Sequence, residues 1–175
     1  DQCMQQTQFF LPKVKELVDI CRKHSSAAII LGGAGYSIFP QSALEYLGAD
    51  LGIKGEGEEV FPEVLQRLES GQSLHGISGL YYPGGLSALQ KVQANLDKLP
   101  LPLPIYVSSE FVSKDDFWMP YQTRRGCPLN CSYCSTGSIE GHRLRKHKIE
   151  DILSNLQDLR DQGIKDNDRV CLFMD

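Results

Sequence analysis

Two short strand-like segments, each followed by a glycine-rich turn, restrict the fold of this chain more than any other feature. The first covers residues 27–31 and ends in Gly32-Gly33-Ala34-Gly35, and the second covers 49–54 and ends in Gly55-Glu56-Gly57. Runs of this kind are typical of buried parallel strands that open into tight turns. Helical stripes of apolar residues accompany them at about 11–23, 41–47 and 60–68. This alternation predicts an α/β layered domain.

A proline cluster divides the chain. Pro100, Pro102 and Pro104 lie close together, and we interpret the stretch that contains them as a linker between two units. The predicted parts are therefore a partial α/β domain, the linker and a second unit, at residues 1–85, 86–117 and 118–175.

The second unit has the pattern of a single βαβ motif. Residues 119–123 and 170–173 resemble strands, and between them a helical stripe at 149–159 ends near Gly163. One βαβ motif cannot by itself cover both faces of a parallel sheet. We therefore expect the chain to be an internal fragment of a longer protein.

The composition narrows the class of protein. Hydrophobic residues make up 41% of the chain and charged residues 23%, as in ordinary globular proteins. The longest uninterrupted apolar run, residues 27–31, is far shorter than the roughly 20 residues that span a membrane, so we expect no membrane span. A formal net charge of −4 argues against a general nucleic-acid binder, which would usually be basic.

Three of the six cysteines are crowded into one segment, at Cys127, Cys131 and Cys134. With the spacing C-x₃-C-x₂-C, three thiolates on one loop can ligate three irons of a [4Fe–4S] cluster. The fourth iron then has no protein ligand and can bind another molecule, just as catalytic metal sites keep a free position.

The other cysteines are isolated in the sequence. Cys21 falls on the apolar face of a predicted helix and Cys171 falls inside a predicted strand, so we expect both to be buried thiols. Cys3 has no neighbouring cysteine. This distribution does not indicate a disulfide framework, and we expect a reducing compartment, the cytoplasm.

Two other uses of the crowded cysteines stay open. Zinc requires four ligands, and His142 is the nearest candidate for a fourth beside the three thiolates. A redox pair formed by Cys131 and Cys134 is a second alternative, but it leaves Cys127 without a function.

The charge around these cysteines is uneven. Between residues 121 and 149 a single acidic residue, Glu140, lies among six basic ones: Arg124, Arg125, Arg143, Arg145, Lys146 and Lys148. An anionic cluster and a carboxylate-bearing ligand would need such partners. The alternative is that these residues form a solvated basic face.

The segment Arg125-Gly126-Cys127-Pro128-x-x-Cys131-x-Tyr133-Cys134 resembles the signature loop of the radical S-adenosylmethionine superfamily. The resemblance implies a partial TIM barrel whose first strand delivers this loop. It also implies that the amino and carboxylate groups of S-adenosylmethionine chelate the open iron, and that reductive cleavage yields a 5′-deoxyadenosyl radical. Tyr133 would lie against the adenine, or would simply pack within the loop. A small-molecule substrate and an electron donor would be the partners.

Residues 9–82 resemble the C-terminal half of a cobalamin-binding domain of the kind fused ahead of radical S-adenosylmethionine barrels. The resemblance rests on residues 29–33, Ala49-Asp50 and Gly55-Glu56-Gly57-Glu58. It implies a doubly wound, Rossmann-like domain in which Gly32 and Gly33 contact the nucleotide tail of cobalamin, since glycine lets a ligand approach the backbone closely. The alternative is that both glycines only form a tight turn.

The sequence therefore predicts a radical S-adenosylmethionine enzyme with a [4Fe–4S] cluster and with cobalamin, which transfers methyl groups to carbon or catalyses a cyclisation or rearrangement. One alternative keeps the radical barrel but has an accessory domain without cobalamin. Another is a non-catalytic binding module in which Cys127, Cys131, Cys134 and His142 bind zinc. No catalytic side chain is assigned.

Overall fold

The computed structural model describes four ranges of the chain: residues 9–85, 92–101, 118–161 and 169–173. The chain divides into two compact units, Asp1–Val92 and Gln93–Asp175. Both combine helices and strands, so the predicted mixed α/β class is confirmed. The predictions for Cys3, for Gly163 and for the side chain of Cys171 lie outside the described part of the structure.

The first unit alternates helices and strands as its glycine-stopped runs predict. Its helices are α1 (Leu11–His24), α2 (Ala34–Ile38), α3 (Pro40–Leu47) and α4 (Val60–Glu69). Its strands are β1 (Ile30–Leu31), β2 (Leu51–Ile53) and β3 (Leu80–Tyr81). Prolines occupy the first turns of α1 and α3, where the missing N–H has no helical partner to lose. The helix α2, which follows the first glycine cluster, is an element that the sequence patterns do not predict.

The three strands form one sheet in the order β1-β2-β3. Strands β1 and β2 are parallel, with Ile30 opposite Leu51, and β3 is antiparallel to β2. Helix α4 packs its buried Val60 and Val64 into a core cluster with Ile53 and Leu80. The predicted parallel arrangement of the first two strands is therefore confirmed, and the carboxyl end of β1 leads directly into the first glycine cluster.

Cys21 is exposed, so the prediction of a buried thiol is wrong for this residue. Helix α1 does have an apolar stripe, but Val18 is the residue of α1 that is buried, while Leu17 and Ile20 remain 59% and 52% exposed. Helical periodicity identifies which side chains share a face, but the tertiary packing decides how much of that face is covered.

The second unit contains the predicted βαβ motif. Its elements are β4 (Trp118–Gln122), β5 (Arg124–Arg125), α5 (Thr136–Glu140), β6 (Arg145–Lys146), α6 (Ile149–Asp161) and β7 (Arg169–Phe173). Strands β4 and β7 are parallel over five paired positions, and α6 lies between them in the chain. Strands β5 and β6 form a separate antiparallel pair that encloses the cysteine segment. The sequence patterns do not predict this pair.

The second unit has a small core between its first strand and its long helix. Tyr121 of β4 and Leu159 of α6 are buried there, together with the partly buried Ile152, Leu156 and Leu101. The Tyr121 hydroxyl donates a hydrogen bond to Asn155 Oδ1 at 2.9 Å, which satisfies its polar end. The strand that precedes the cysteines is thereby held against α6.

Part of the predicted linker packs with the second unit. Residues 96–98 form a single 3₁₀ turn in which Leu96 is buried, and Asp97 Oδ1 accepts a hydrogen bond from the Lys148 N–H at 3.1 Å. Of the predicted linker, residues 86–91 and 102–117 lie outside the described ranges. The three-part division at 85 and 117 stays a prediction.

Candidate functional site

The three crowded cysteines lie on the loop between β5 and α5. None of the three forms a disulfide; Cys127 and Cys131 are partly exposed, and Cys134 is exposed. The Cys134 N–H donates to the Cys131 carbonyl at 3.2 Å, and this turn brings the second and third cysteines close together in the chain path. The Cys134 Sγ also lies 3.3 Å from Thr136 Oγ1 at the start of α5.

The donor set has the chemistry of an iron–sulfur cluster. Three thiols outside any disulfide share one partly exposed loop, and in a cubane cluster each thiolate binds a different iron atom. This donor chemistry fits a [4Fe–4S] cluster, and Cys127, Cys131 and Cys134 as its ligands stay a prediction. In the described ranges, no group of three or more His, Cys, Asp or Glu side chains is placed to hold a single metal ion.

The entrance to this loop is held by the last residue of α5 and by the segment that follows α5. The Cys127 N–H donates to the Gly141 carbonyl at 3.1 Å, and the Gly126 N–H donates to Glu140 Oε2 at 2.8 Å. Gly126 has a φ of +82°, and a β-carbon at this position would overlap the carbonyl oxygen of Arg143. Glycine is therefore required immediately before the first cysteine.

Arg145, which is buried with a relative exposure of 5%, holds the backbone at the end of α5 and just after it. Its guanidinium donates to the carbonyl oxygens of Glu140 at 2.5 Å, Gln93 at 2.8 Å and Arg143 at 3.4 Å. A buried charge is costly unless its polar atoms are hydrogen-bonded. Arg145 therefore crosslinks three stretches of backbone around the loop, and it is not part of a solvated basic face.

Glu140 joins the end of β4 to the same loop. Its Oε1 accepts from Gln122 Nε2 at 2.8 Å while its Oε2 accepts from the Gly126 N–H. Gln122 Oε1 in turn accepts from Arg125 Nε at 3.0 Å. The sequence offered Arg145 only as one of six basic residues that could face an anionic ligand or the solvent, and it assigned no function to Glu140. The one signal for Glu140 is that it is the single acidic residue in this basic stretch.

Tyr133 and His142 are the other candidate residues that the sequence offers near these cysteines. Tyr133 is 91% exposed, so its ring is available to a ligand, and its contact with adenine stays a prediction. The imidazole of His142 covers Gly137 of α5, where an added β-carbon would lie 2.8 Å from Nδ1. Burial lowers the pKa of His147, and Asp97, 3.9 Å away, opposes that shift.

In the first unit, Ser37 links the two glycine clusters. The Ser37 hydroxyl is buried, donates to the Gly33 carbonyl at 2.8 Å and accepts from the Gly55 N–H at 2.9 Å. Gly33 has a φ of +92° and no atom within 4 Å of an added β-carbon, whereas at Gly32 the nearest atom is Ile53 O at 3.9 Å. The structure therefore brings both glycine motifs together, and the contact of Gly32 and Gly33 with cobalamin stays a prediction.

Asp50 lies at the opposite end of the same two strands, directly before β2 begins. Its Oδ2 accepts hydrogen bonds from the Arg22 guanidinium and from the Ile29 N–H, the latter at 2.7 Å. The hydrogen bond from Arg22 is the main cause that holds the pKa of Asp50 below its ordinary value. Asp50 therefore ties α1 to the start of the strand region that leads to Gly32.

Tyr36 lies in the core of the first unit, against Gly52 of β2. A β-carbon at Gly52 would overlap the Tyr36 hydroxyl. Burial raises the pKa of Tyr36 to about 12, so the hydroxyl remains protonated at neutral pH. Within the described ranges this hydroxyl has no hydrogen-bond partner.

Comparison with known proteins gives a consistent group of relatives, although no family model matches the chain. An uncharacterised methyltransferase of Pyrococcus horikoshii is 30% identical over 147 residues, which cover 79% of this chain and 32% of the relative. Hopanoid C-3 methylase of Methylococcus capsulatus is 26% identical over 163 residues, which cover 89% of this chain and 32% of that protein.

A solved structure shares the fold. The radical S-adenosylmethionine methyltransferase TsrM from Kitasatospora setae superimposes with a TM-score of 0.71 and 22% identity, covering 95% of this chain and 34% of that chain. The predicted resemblance is confirmed. The chain is similar to cobalamin-dependent radical S-adenosylmethionine methyltransferases. It spans about a third of the length of the curated relatives it matches.

No helix among the described residues is long and apolar enough to cross a membrane. This finding covers the helices α1 to α6, whose longest member is α1 with 14 residues. A helix of that length rises about 21 Å, less than the roughly 30 Å of a bilayer core.

Proposed function

We propose that the protein containing this chain is a radical S-adenosylmethionine enzyme that uses a [4Fe–4S] cluster and cobalamin to transfer a methyl group to carbon. The observation that carries the proposal is the loop with three cysteines, which follows β4 and the short β5 inside a parallel βαβ unit. In barrels built from such units, active sites lie at the carboxyl ends of the strands. The loop is therefore in the expected place for a catalytic cofactor.

The residues of the second unit have different roles at this proposed site. Cys127, Cys131 and Cys134 would hold three irons, and the exposed ring of Tyr133 would contact the adenine of S-adenosylmethionine. When bound, the cluster would supply the electron for reductive cleavage of the sulfonium to a 5′-deoxyadenosyl radical. The loop's backbone is held in advance by hydrogen bonds from Gly126 and Cys127, which reduces the cost of ordering it when iron binds.

The first unit would hold the corrinoid. A structure of TsrM contains cobalamin and a [4Fe–4S] cluster, and it covers 89% of this chain with a TM-score of 0.64. In this chain the space beside Gly32 and Gly33 is open at the end of β1, as a ligand lying against backbone requires. Ser37 holds the neighbouring turn in place by its two hydrogen bonds.

Methyl transfer to carbon is favoured over cyclisation or rearrangement because the relatives described above are methyltransferases. They include a C-3 methylase of hopanoids, and TsrM was solved with tryptophan as its substrate. The proposed partners are a small-molecule acceptor with a carbon to be methylated and an electron donor. A cytoplasmic location is part of the same proposal.

The test is cofactor loading of the full-length protein under anaerobic conditions. We expect about four irons per chain, saturable binding of hydroxocobalamin, and binding of S-adenosylmethionine that requires the cluster. Iron without any corrinoid binding would replace this proposal by the radical enzyme with a cobalamin-free domain. Zinc in place of iron, with no cluster formed on reconstitution, would leave the zinc-binding module as the explanation of the cysteines.

A further inference from the structure

We propose that Glu140 is a positioning residue for the cluster loop, and that its carboxylate sets both how well the loop holds the cluster and how easily the cluster is reduced. The inference rests on the proposed function, because it assumes that Cys127, Cys131 and Cys134 bind a [4Fe–4S] cluster. It adds a residue that lies outside the cysteine motif and six positions beyond its last cysteine.

The geometry first shows that Glu140 bridges two elements. One carboxylate oxygen accepts from the Gly126 N–H and the other accepts from the Gln122 side-chain amide, both at 2.8 Å. Gln122 is the last residue of β4, and Gly126 immediately precedes the first cysteine. The bridge therefore couples the carboxyl end of a core strand to the backbone that carries Cys127.

Glu140 is itself held in place on its backbone side. Its carbonyl oxygen accepts from the buried guanidinium of Arg145, and the carbonyl of the next residue, Gly141, accepts from the Cys127 N–H. A side chain whose own backbone is fixed loses little freedom when it forms its hydrogen bonds. The carboxylate is therefore a rigid support for the loop entrance.

The charge of Glu140 has a separate consequence. Hydrogen bonds to an ionised carboxylate are roughly twice as strong as neutral ones, so the charged form holds the Gly126 N–H more firmly than an amide would. The potential of an iron–sulfur cluster also depends on the net charge around it. A fixed negative charge next to the first cysteine opposes the addition of an electron, and so lowers the reduction potential.

These two roles are separated by two substitutions in the full-length, anaerobically reconstituted protein. Glu140→Gln keeps one oxygen that can accept from the Gly126 N–H, but it removes the charge and the second acceptor, which faces Gln122 Nε2. Glu140→Ala removes the charge and both acceptors. The matched control is Glu150→Gln, which removes one exposed carboxylate from the first turn of α6 in the same unit.

We expect Glu140→Ala to bind less iron than wild type. Glu140→Gln should bind more iron than Glu140→Ala and have a cluster potential more positive than wild type, measured by potentiometric titration of the reduced-cluster spectrum. Glu150→Gln should match wild type in both measurements. Circular dichroism checks that each variant folds. If Glu140→Ala fails to fold, the cluster potential of Glu140→Gln alone tests the inference.

The inference is overturned if both Glu140 variants match Glu150→Gln in iron content and potential. It is also overturned if the loaded Glu140→Gln protein has the wild-type potential, because a merely structural role predicts that result. Wild-type protein that binds no cluster would instead overturn the proposed function, and the inference with it.

Discussion

The main-chain N–H of Cys127 donates a hydrogen bond to the carbonyl oxygen of Gly141, at 3.1 Å. This bond joins the first cysteine of the motif to the segment that follows α5. Glu140, the last residue of α5, accepts a hydrogen bond from the Gly126 N–H, and the Arg143 carbonyl lies where a β-carbon of residue 126 would stand. The cysteine loop is therefore closed at its base by residues that come after it in the chain.

Replacing any one of the three loop cysteines with alanine should abolish cluster binding, because three thiolates are needed for three irons. The measurement is iron content after anaerobic reconstitution of the full-length protein. Cys21→Ala is the matched control, since it removes an exposed cysteine of the first unit and should leave the iron content unchanged. Full iron content in Cys131→Ala would contradict the cluster assignment. Loss of bound metal in His142→Ala would favour the zinc alternative.

Gly126→Ala should destabilise the second unit and reduce iron binding, although it leaves every cysteine in place. A residue with a side chain in this left-handed conformation costs about 1–3 kcal/mol, and the added β-carbon would overlap a backbone oxygen that cannot rotate away. Chemical denaturation and iron content measure the two effects. Gly35→Ala is the control, because its φ is not positive and its β-carbon would meet no atom within 4 Å. Equal stability and equal iron in the two variants would show that the loop entrance is not constrained as described.

Gly32→Ala should weaken binding of hydroxocobalamin to the full-length protein if the corrinoid tail lies against this residue. The substitution itself fits, since Ile53 O is 3.9 Å from the added carbon, so the fold should be preserved. Overpacking against a ligand typically costs about 1–3 kcal/mol, which is roughly a 5- to 150-fold loss of affinity.

Gly33→Ala is a poorer probe of the same contact, because its φ of +92° strains any residue with a β-carbon. Equilibrium binding to Gly32→Ala is therefore the informative measurement, with Gly35→Ala as control. Wild-type affinity in Gly32→Ala would move the corrinoid away from this glycine, while retaining cobalamin as a cofactor.

Asp50 should make the stability of the first unit depend on acidic pH. Its pKa is lower in the folded chain than its ordinary value of 3.8, so its contribution is fully present above that value and is lost as the pH falls through the folded pKa. The pair with Arg22 is partly exposed, with side-chain exposures of 43% and 34%, so we expect about 0.2–1 kcal/mol. Asp50→Asn should lower the free energy of unfolding at about pH 7, and lower it by less at about pH 3, where part of the contribution is already lost.

Urea denaturation at both pH values measures this effect. Asp19→Asn is a suitable control, because Asp19 pairs with Lys15 at a longer distance of 3.6 Å and is more exposed, at 56%. If Asp50→Asn lost the same stability at both pH values, the loss would come from packing or from the hydrogen bond to Ile29 rather than from the charge.

The local elements and the ligand set follow from the sequence because both depend on residues close together in the chain. Helix α1 was predicted at about 11–23 and is found at Leu11–His24, and the strand predicted at 119–123 is found at Trp118–Gln122. Helical periodicity, proline and glycine act over a few residues. The C-x₃-C-x₂-C spacing likewise places all three thiols on one loop, whatever the rest of the fold is.

The support of that loop was decided by tertiary structure alone. Glu140 binds Gly126 across 14 positions and Arg145 binds Gln93 across 52, and hydrogen bonds between such distant residues depend on the path of the chain between them. The same reason explains the exposure of Cys21, since the apolar face of α1 could be predicted but its coverage could not. The sequence by itself determined which atoms can bind the cluster, and only the packing of β4, α5 and β6 determined what holds those atoms in position.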